Sequence, residues 1–375
     1  MYKIPLVRPY FDHDELEEIQ KTLDSGWVSA GPKVEEFEKA LAKFLGAEHV
    51  IGVANCTAAL HLSLLSLGVG EGDEVLVADY TFPATAHAVL YCGAKPVFVD
   101  VDLRTYNIDP MSIAEKITER TKAIVPVHAF GQPAEMDEIL RIAKAHNLRV
   151  LEDAACALGA KYKDRYAGTM GDIACISLHA RKGITTGEGG LIVTNDRSLA
   201  EKARNMSVFG MTSSAWNREG HRGFVVPQFT DVGYNYKMSD INAAVGVAQL
   251  RKLDKILRRK RDLAKHWNEE IEHMDLVTPP YVAKHVEHCY QTYVAVVDGR
   301  VDRNGLIETL GTRGIQTNIG TYSCHLQPVY NSKDSCPRSA QLFNTAIALP
   351  LYYSMQDADI ELAAASLRQS VAELA

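Results

Sequence analysis

From residue 49 to residue 158 the chain alternates between two kinds of segment. Short apolar runs (HVIGVA, EVLVAD, KPVFVDVD, KAIVPVHAFG, RVLEDAACALG) are separated by stretches such as TAALHLSLLSLG, ATAHAVLYCG, IAEKITER and MDEILRIAKAHN. In the second kind the apolar residues recur at helical spacing. Strands that are apolar on both faces must be covered on both faces, so the alternation predicts a mostly parallel sheet between layers of helices. DIACISLHA and GGLIVTN add two strands with no long helix between them. Residues 239–274 read as one uninterrupted helix, long enough to bridge two domains. Beyond it, YQTYVAVV, NGLIETLGTRG, IQTNIG and a terminal helix over residues 357–374 alternate more sparsely. The predicted organisation is a large α/β domain over residues 1–250 and a smaller α+β domain over residues 251–375. Residues 210–231, rich in Ser, Gly, Arg and aromatics, read as a mobile or functional loop.

Composition removes several classes of function. With 46% hydrophobic and 23% charged residues, the chain has the make-up of an ordinary globular protein. A net charge of −7 argues against a nucleic-acid partner, because a phosphate backbone wants a basic patch. The one basic cluster, LRRKRD at residues 257–262, falls in the long helix and reads as a solvated face. MYKIPLVRPYFD lacks the apolar centre of a signal peptide, and no apolar run approaches the ~20 residues that span a bilayer. A cytoplasmic location without membrane contact is therefore expected. The seven cysteines are odd in number and form no C-x-x-C pair, which suits reduced, buried thiols. His285 and His288 are close, but no carboxylate cluster completes a set at ligand spacing, so no metal is expected.

The chemistry gathers at strand ends. ISLHARKGITTGEGGLIVTND, residues 176–196, runs strand, polar turn, strand, with Lys182 in the turn. A lysine attacks a carbonyl only as the free amine, and partial burial is expected to depress its pKa and leave it uncharged. The small and hydroxyl residues around it, TTGEGG included, would leave room for a ligand. VLEDAA ends an apolar strand in Glu152 and Asp153, and an aspartate at a strand's carboxyl end can hold a protonated ring nitrogen. ANCTAALHL opens a helix at Asn55, Cys56 and Thr57, whose free amides suit a phosphate, with the Ser177 hydroxyl as a further donor. Phe82, in DYTFPATAH, follows a strand and could stack on a flat ring. Alone, each has a plainer reading: a hairpin lysine, a turn-capping aspartate, an ordinary N-cap, a core aromatic. Nucleotide phosphate loops of the G-x-x-x-x-G-K-[ST] kind are absent, and GVGEGD at residues 68–73 lacks the strand-to-helix context of a dinucleotide fingerprint. Together the residues describe pyridoxal 5'-phosphate: an amine for the aldehyde, a carboxylate for the ring nitrogen, an aromatic for the ring face, and a helix N-terminus with a serine for the phosphate.

SLHARKGITTGEGG resembles the S-F-H-x-x-K-x-x-T-T-G-E-G-G motif of the DegT/StrS sugar-nucleotide aminotransferases. ANCTAALHL, EDAAC and GYNYKMSDINAA match that family in order and spacing, and the resemblance runs from SGWVSAGPKVEEFE to the C-terminal helix. It implies the aspartate aminotransferase-like fold (PLP fold type I). It implies that Lys182 forms a Schiff base with the cofactor and later moves the proton, and that Asp153 keeps the pyridine nitrogen protonated. Phe82 would stack on the ring, and Thr57, Ala58 and Ser177 would bind the phosphate. Asn235 would reach the phosphate in a neighbouring subunit, which implies a homodimer with composite sites. His179 and His325 would line a sugar pocket, with Trp27, Lys33, Arg222 and Tyr322 as further substrate contacts. Two positions depart from the family pattern: Cys156 stands where many relatives carry Gln, His or Ser beside the cofactor, and Leu178 replaces the usual Phe. The implied reaction moves an amino group from L-glutamate to a keto-sugar on a nucleoside diphosphate. GW-x-x-x-GPK with TTGEGG, rather than a GDGG ending, resembles enzymes acting at C4 of a 4-keto-6-deoxyhexose. The alternatives are amination at C3 or of a cyclitol, and a non-catalytic sensor that keeps the fold. The related sugar 3-dehydratases carry His where this chain has Lys182.

Overall fold

The structure is a computed structural model and describes residues 2–211 and 226–375. Its largest sheet has seven strands, in the spatial order His49–Val53, Gly190–Thr194, Ile173–Ser177, Arg149–Asp153, Thr121–Val125, Glu74–Ala78 and Lys95–Val99. Gly190–Thr194 runs antiparallel to both neighbours, and every other pairing is parallel. The sequence pattern is explained by what covers the two faces. Ile192 packs into one apolar cluster with Ile51, Leu62, Val75 and Phe98. Its neighbours Leu191 and Val193 point the other way, into a cluster with Phe37, Leu41 and Ile176. Successive side chains alternate faces, so a strand covered on both sides must be apolar at every position.

Helix Cys56–Ser66 follows the strand His49–Val53 almost directly and has no charged residue in its first or last turn. It is buried on nearly all sides, and the Asn55 side chain caps it by accepting from the Ala58 N–H. Among the described residues no helix is long and apolar enough to cross a membrane. All seven cysteines are free thiols.

The single helix expected over residues 239–274 is two helices, Asp240–Leu250 and Leu253–Ile271. Neither Gly nor Pro marks the break. It lies where Lys252 turns inward to pair with Asp12 and with Glu15 at 2.8 Å, while Gln249 donates to the same Glu15. The first helix packs on helices His13–Asp24 and Pro32–Leu45, and the second packs on Asp357–Leu374. IAEKITER is mostly turn, with helix only over Pro110–Ala114.

The C-terminal part carries a four-stranded antiparallel sheet in the order Val277–Thr278, Tyr293–Val297, Ala346–Leu349 and Asn318–Ile319. Ala346–Leu349, which pairs on both edges, was not expected from its short apolar run. Trp267, Tyr293, Leu306 and Ile360 form the core here, and Trp267 donates its ring N–H to the Pro350 carbonyl at 2.9 Å. Ile4 joins this core and bridges Ile315, so the first residues of the chain pack with the last third.

Candidate active site

The carboxyl ends of the strands His49–Val53, Glu74–Ala78, Thr121–Val125, Arg149–Asp153 and Ile173–Ser177 and the amino end of the antiparallel strand open on one cavity of about 520 Å³. Small-molecule sites are ordinarily about 300–1,000 Å³, and open α/β sheets bind ligands at this edge. Lys182, Asp153, Cys156, Phe82, Thr57, Ser177 and His179, all singled out in the sequence, line it.

Asp153 ends its strand and is buried. Its Oδ2 accepts from the Thr85 hydroxyl at 2.7 Å and its Oδ1 from the Ala155 N–H at 3.1 Å. Burial pushes its pKa above the ordinary value, against the opposing pull of Thr85, Ala155, Lys182 and His128. A carboxylate left short of positive charge in this way suits a protonated ring nitrogen.

Lys182 lies beyond the strand Ile173–Ser177, with its Nζ 3.1 Å from the Cys156 Sγ. The expectation of an uncharged amine is overturned. Burial pulls the Lys182 pKa down, but Cys156, Cys56 and Asp153 outweigh it and hold the amine above its ordinary value. The physical reason is the Cys156 sulfur that accepts from the amine and the Asp153 carboxylate nearby, neither of which turn chemistry alone reveals.

At the other side, Cys56 and Thr57 begin their helix on the cavity wall. The Ala58 N–H is already taken by Asn55 Oδ1 at 2.9 Å, and Ala58 does not line the cavity. Ser177 Oγ accepts from the His179 N–H at 3.3 Å and keeps its own hydrogen to donate. Gly190 explains part of TGEGG: a Cβ there would lie 2.4 Å from the Asn55 carbonyl carbon and 2.6 Å from the Cys56 nitrogen. The two threonines do not leave room for a ligand as expected. Both are buried, and their hydroxyls pin the turn: Thr185 donates to the Leu178 carbonyl and Thr186 to the Glu188 carbonyl.

Other expected contacts sit elsewhere. His325 does not line the cavity; its Nδ1 is 2.7 Å from buried Asp79, which raises its pKa. Asp79, His325 and Cys336 place potential ligand atoms within 4.8 Å of one another. Asp79 already accepts from Ser323 Oγ and from the His325 N–H, so the group reads as a hydrogen-bonded set rather than a metal site. Lys33 is held by Glu18 at 2.7 Å and Glu36 at 2.8 Å, and Trp27 donates to the Ala30 carbonyl; neither lines the cavity. Tyr322 is also off the lining, but its ring meets Phe82 edge-on with centroids 6.2 Å apart. Asn235 is exposed, pairs with Lys237 and does not line this chain's own cavity. Arg222 lies outside the described residues.

Two residues were missed. Glu152 is fully buried and accepts from the N–H groups of Gly168, Met170 and Gly171 and from His128 Nε2 at 2.8 Å. His128 Nδ1 accepts from the Ala134 N–H, so its ring proton sits on Nε2. Burial would raise the Glu152 pKa, but His128 and the Gly171 and Gly168 amides outweigh it and hold it below the ordinary value. The signal was an acid inside an otherwise apolar strand. This buried set anchors the strand that presents Asp153, whose own carbonyl accepts from the His128 N–H at 3.0 Å.

The chain is 39% identical over 367 residues to the spore coat polysaccharide biosynthesis protein SpsC of Bacillus subtilis, covering 96% of this chain and 94% of that one. It is 38% identical over 373 residues to the GDP-perosamine synthase of Caulobacter vibrioides, covering 98% of each. The PLP-form structure of Spr1654 from Streptococcus pneumoniae superposes with a TM-score of 0.91 at 27% identity, over 99% of both chains. The fold is the expected one of the PLP aminotransferases, with a mostly parallel sheet covered by helices. A family profile matches residues 9–368, and the chain belongs to the DegT/DnrJ/EryC1/StrS aminotransferase family.

Proposed function

We propose that this aminotransferase moves the amino group of L-glutamate to a nucleotide-linked keto-sugar, at C4 of a 4-keto-6-deoxyhexose. The cofactor is pyridoxal 5'-phosphate. The observation that carries the reading is that the Lys182 amine and the buried Asp153 carboxylate open on one cavity with the N-terminus of helix Cys56–Ser66. The relatives named for GDP-perosamine synthesis and for a spore coat polysaccharide support a nucleotide-sugar acceptor. The GW-x-x-x-GPK and TTGEGG segments support C4.

When bound, the cofactor supplies an aldehyde to take up the amine and a protonated ring to draw electron density from the reacting carbon. Lys182 Nζ would meet that aldehyde and, once free, would carry the proton away from the donor's α-carbon. Asp153, fixed by Thr85 and Ala155, would hold the ring N–H. Thr57 and Ser177, on the cavity wall, would hold the phosphate, and exposed Phe82 would cover the ring face. Asn235, off its own cavity, would serve the site of a second copy in a homodimer.

The test is absorption spectroscopy of the purified protein with pyridoxal phosphate, before and after L-glutamate. A visible band that bleaches with glutamate is expected of the wild type. K182A should lose the band and all turnover while keeping its circular dichroism and melting temperature. Full activity in K182A would overturn the mechanism.

A further inference from the structure

The charged residues of the cavity are mostly spoken for. Lys182 faces Cys156 and Asp153, and Glu188 faces His179 at 3.7 Å. Arg181 is the exception: it is exposed on the cavity wall, and its guanidinium has no ion-pair or hydrogen-bond partner among the described residues. Its backbone, in contrast, is held on both sides. Its N–H donates to His179 Nδ1 at 3.2 Å, and its carbonyl accepts from Gln291 Nε2 at 2.8 Å. The side chain therefore springs from a fixed base one residue from Lys182. Arg181 also lines an adjoining cleft of about 100 Å³, which shares Gln291, Thr292 and Gly320 with the main cavity.

We infer that Arg181 is the anion-recognising residue of the substrate site, placed where the cavity meets this cleft. The inference rests on the proposed function, in which both substrates bring an oxyanion: the carboxylate of the amino donor or the diphosphate of the sugar nucleotide. A guanidinium is a planar fork that meets two oxygens of either group at once, and it stays charged throughout the working pH range. In that reading the cofactor's own phosphate would be held by Thr57 and Ser177, elsewhere on the cavity wall, and would not compete for Arg181. Glu188, the nearest carboxylate along the turn, is engaged by His179 instead.

The experiment compares wild type, R181A and R181K as holoenzymes. The probes are single-turnover bleaching by L-glutamate, and inhibition of that reaction by GDP, UDP and dTDP. R181A should keep the cofactor band. It should lose roughly 10- to 100-fold in apparent affinity for glutamate or for a nucleoside diphosphate, as expected when a charge-assisted bond is removed. R181K should recover part of the loss. A loss confined to glutamate assigns the carboxylate; a loss confined to the nucleotides assigns the diphosphate. R181A that matches an active wild type on every probe overturns the inference alone. A wild type that forms no band overturns the underlying function and the inference with it.

Discussion

Replacing Glu152 with Gln changes one atom and sets a donor against donors. Glu152 Oε1 accepts from the Met170 N–H at 2.5 Å and the Gly171 N–H at 2.6 Å. Oε2 accepts from the Gly168 N–H and from His128 Nε2, both at 2.8 Å. Whichever way the Gln amide turns, its NH2 faces one of these pairs, and two bonds are lost. His128 cannot relieve the conflict by moving its proton, because its Nδ1 already accepts from the Ala134 N–H at 3.0 Å. At about 1.5–3 kcal/mol for a bond to a charged group, the loss is about 3–6 kcal/mol. That is a large share of the roughly 5–15 kcal/mol that holds an ordinary domain together. Urea unfolding at neutral pH, followed by circular dichroism, measures it. The pH dependence has a definite sign. Glu152 is held below its ordinary 4.5 in the folded chain, so around that pH the unfolded state binds more protons. The stabilisation is complete above about 4.5 and disappears as pH falls through the folded value, so the gap between wild type and E152Q should close in acid. Because Asp153 is the next residue, E152Q should also bind pyridoxal phosphate more weakly. A mutant within about 1 kcal/mol of wild type at neutral pH would refute the assignment of four bonds to an ionised Glu152.

Two further outcomes follow from single residues. Lys260 is buried, donates to the Gln291 carbonyl at 2.9 Å, and is pushed down to about 8, chiefly by burial. The folded chain therefore gives up this proton before the unfolded one, and stability gains from it as pH rises from about 8 to 10.5. K260M should lack that gain, which melting curves across the window would show; parallel curves would contradict a buried, titrating lysine. G190A places a Cβ 2.4 Å from the Asn55 carbonyl carbon, so the start of helix Cys56–Ser66 must shift. A loss of about 1–3 kcal/mol, typical of overpacking, is expected with weaker cofactor binding by spectral titration; unchanged affinity would separate Gly190 from the phosphate end of the site.

What could be read from the sequence was local. The strands over 74–78 and 173–177 announced themselves because both faces are covered, and Asn55 because a cap acts within three residues. What could not be read depends on partners far along the chain. Lys252 breaks the long helix by pairing with Glu15, 237 positions away. His325 is drawn off the cavity by Asp79, 246 positions away. Ala346–Leu349 is only four residues long, and two partner strands rather than its own pattern make it a strand. Thr185 and Thr186 look like ligand contacts in a motif, but the backbone they secure belongs to the same turn.

The charge on Lys182 shows how far such partners reach into the chemistry. Burial favours a neutral amine, as a solitary lysine in an apolar turn would suggest. The same fold brings Asp153 and two thiols close enough to reverse that preference. Asp153 is in turn lifted above its ordinary value by burial and is short of positive charge. A protonated ring nitrogen set against this carboxylate would supply the positive charge that offsets the cost of its burial. It would do so without moving the sheet, since Asp153 is fixed at both oxygens by Thr85 and Ala155.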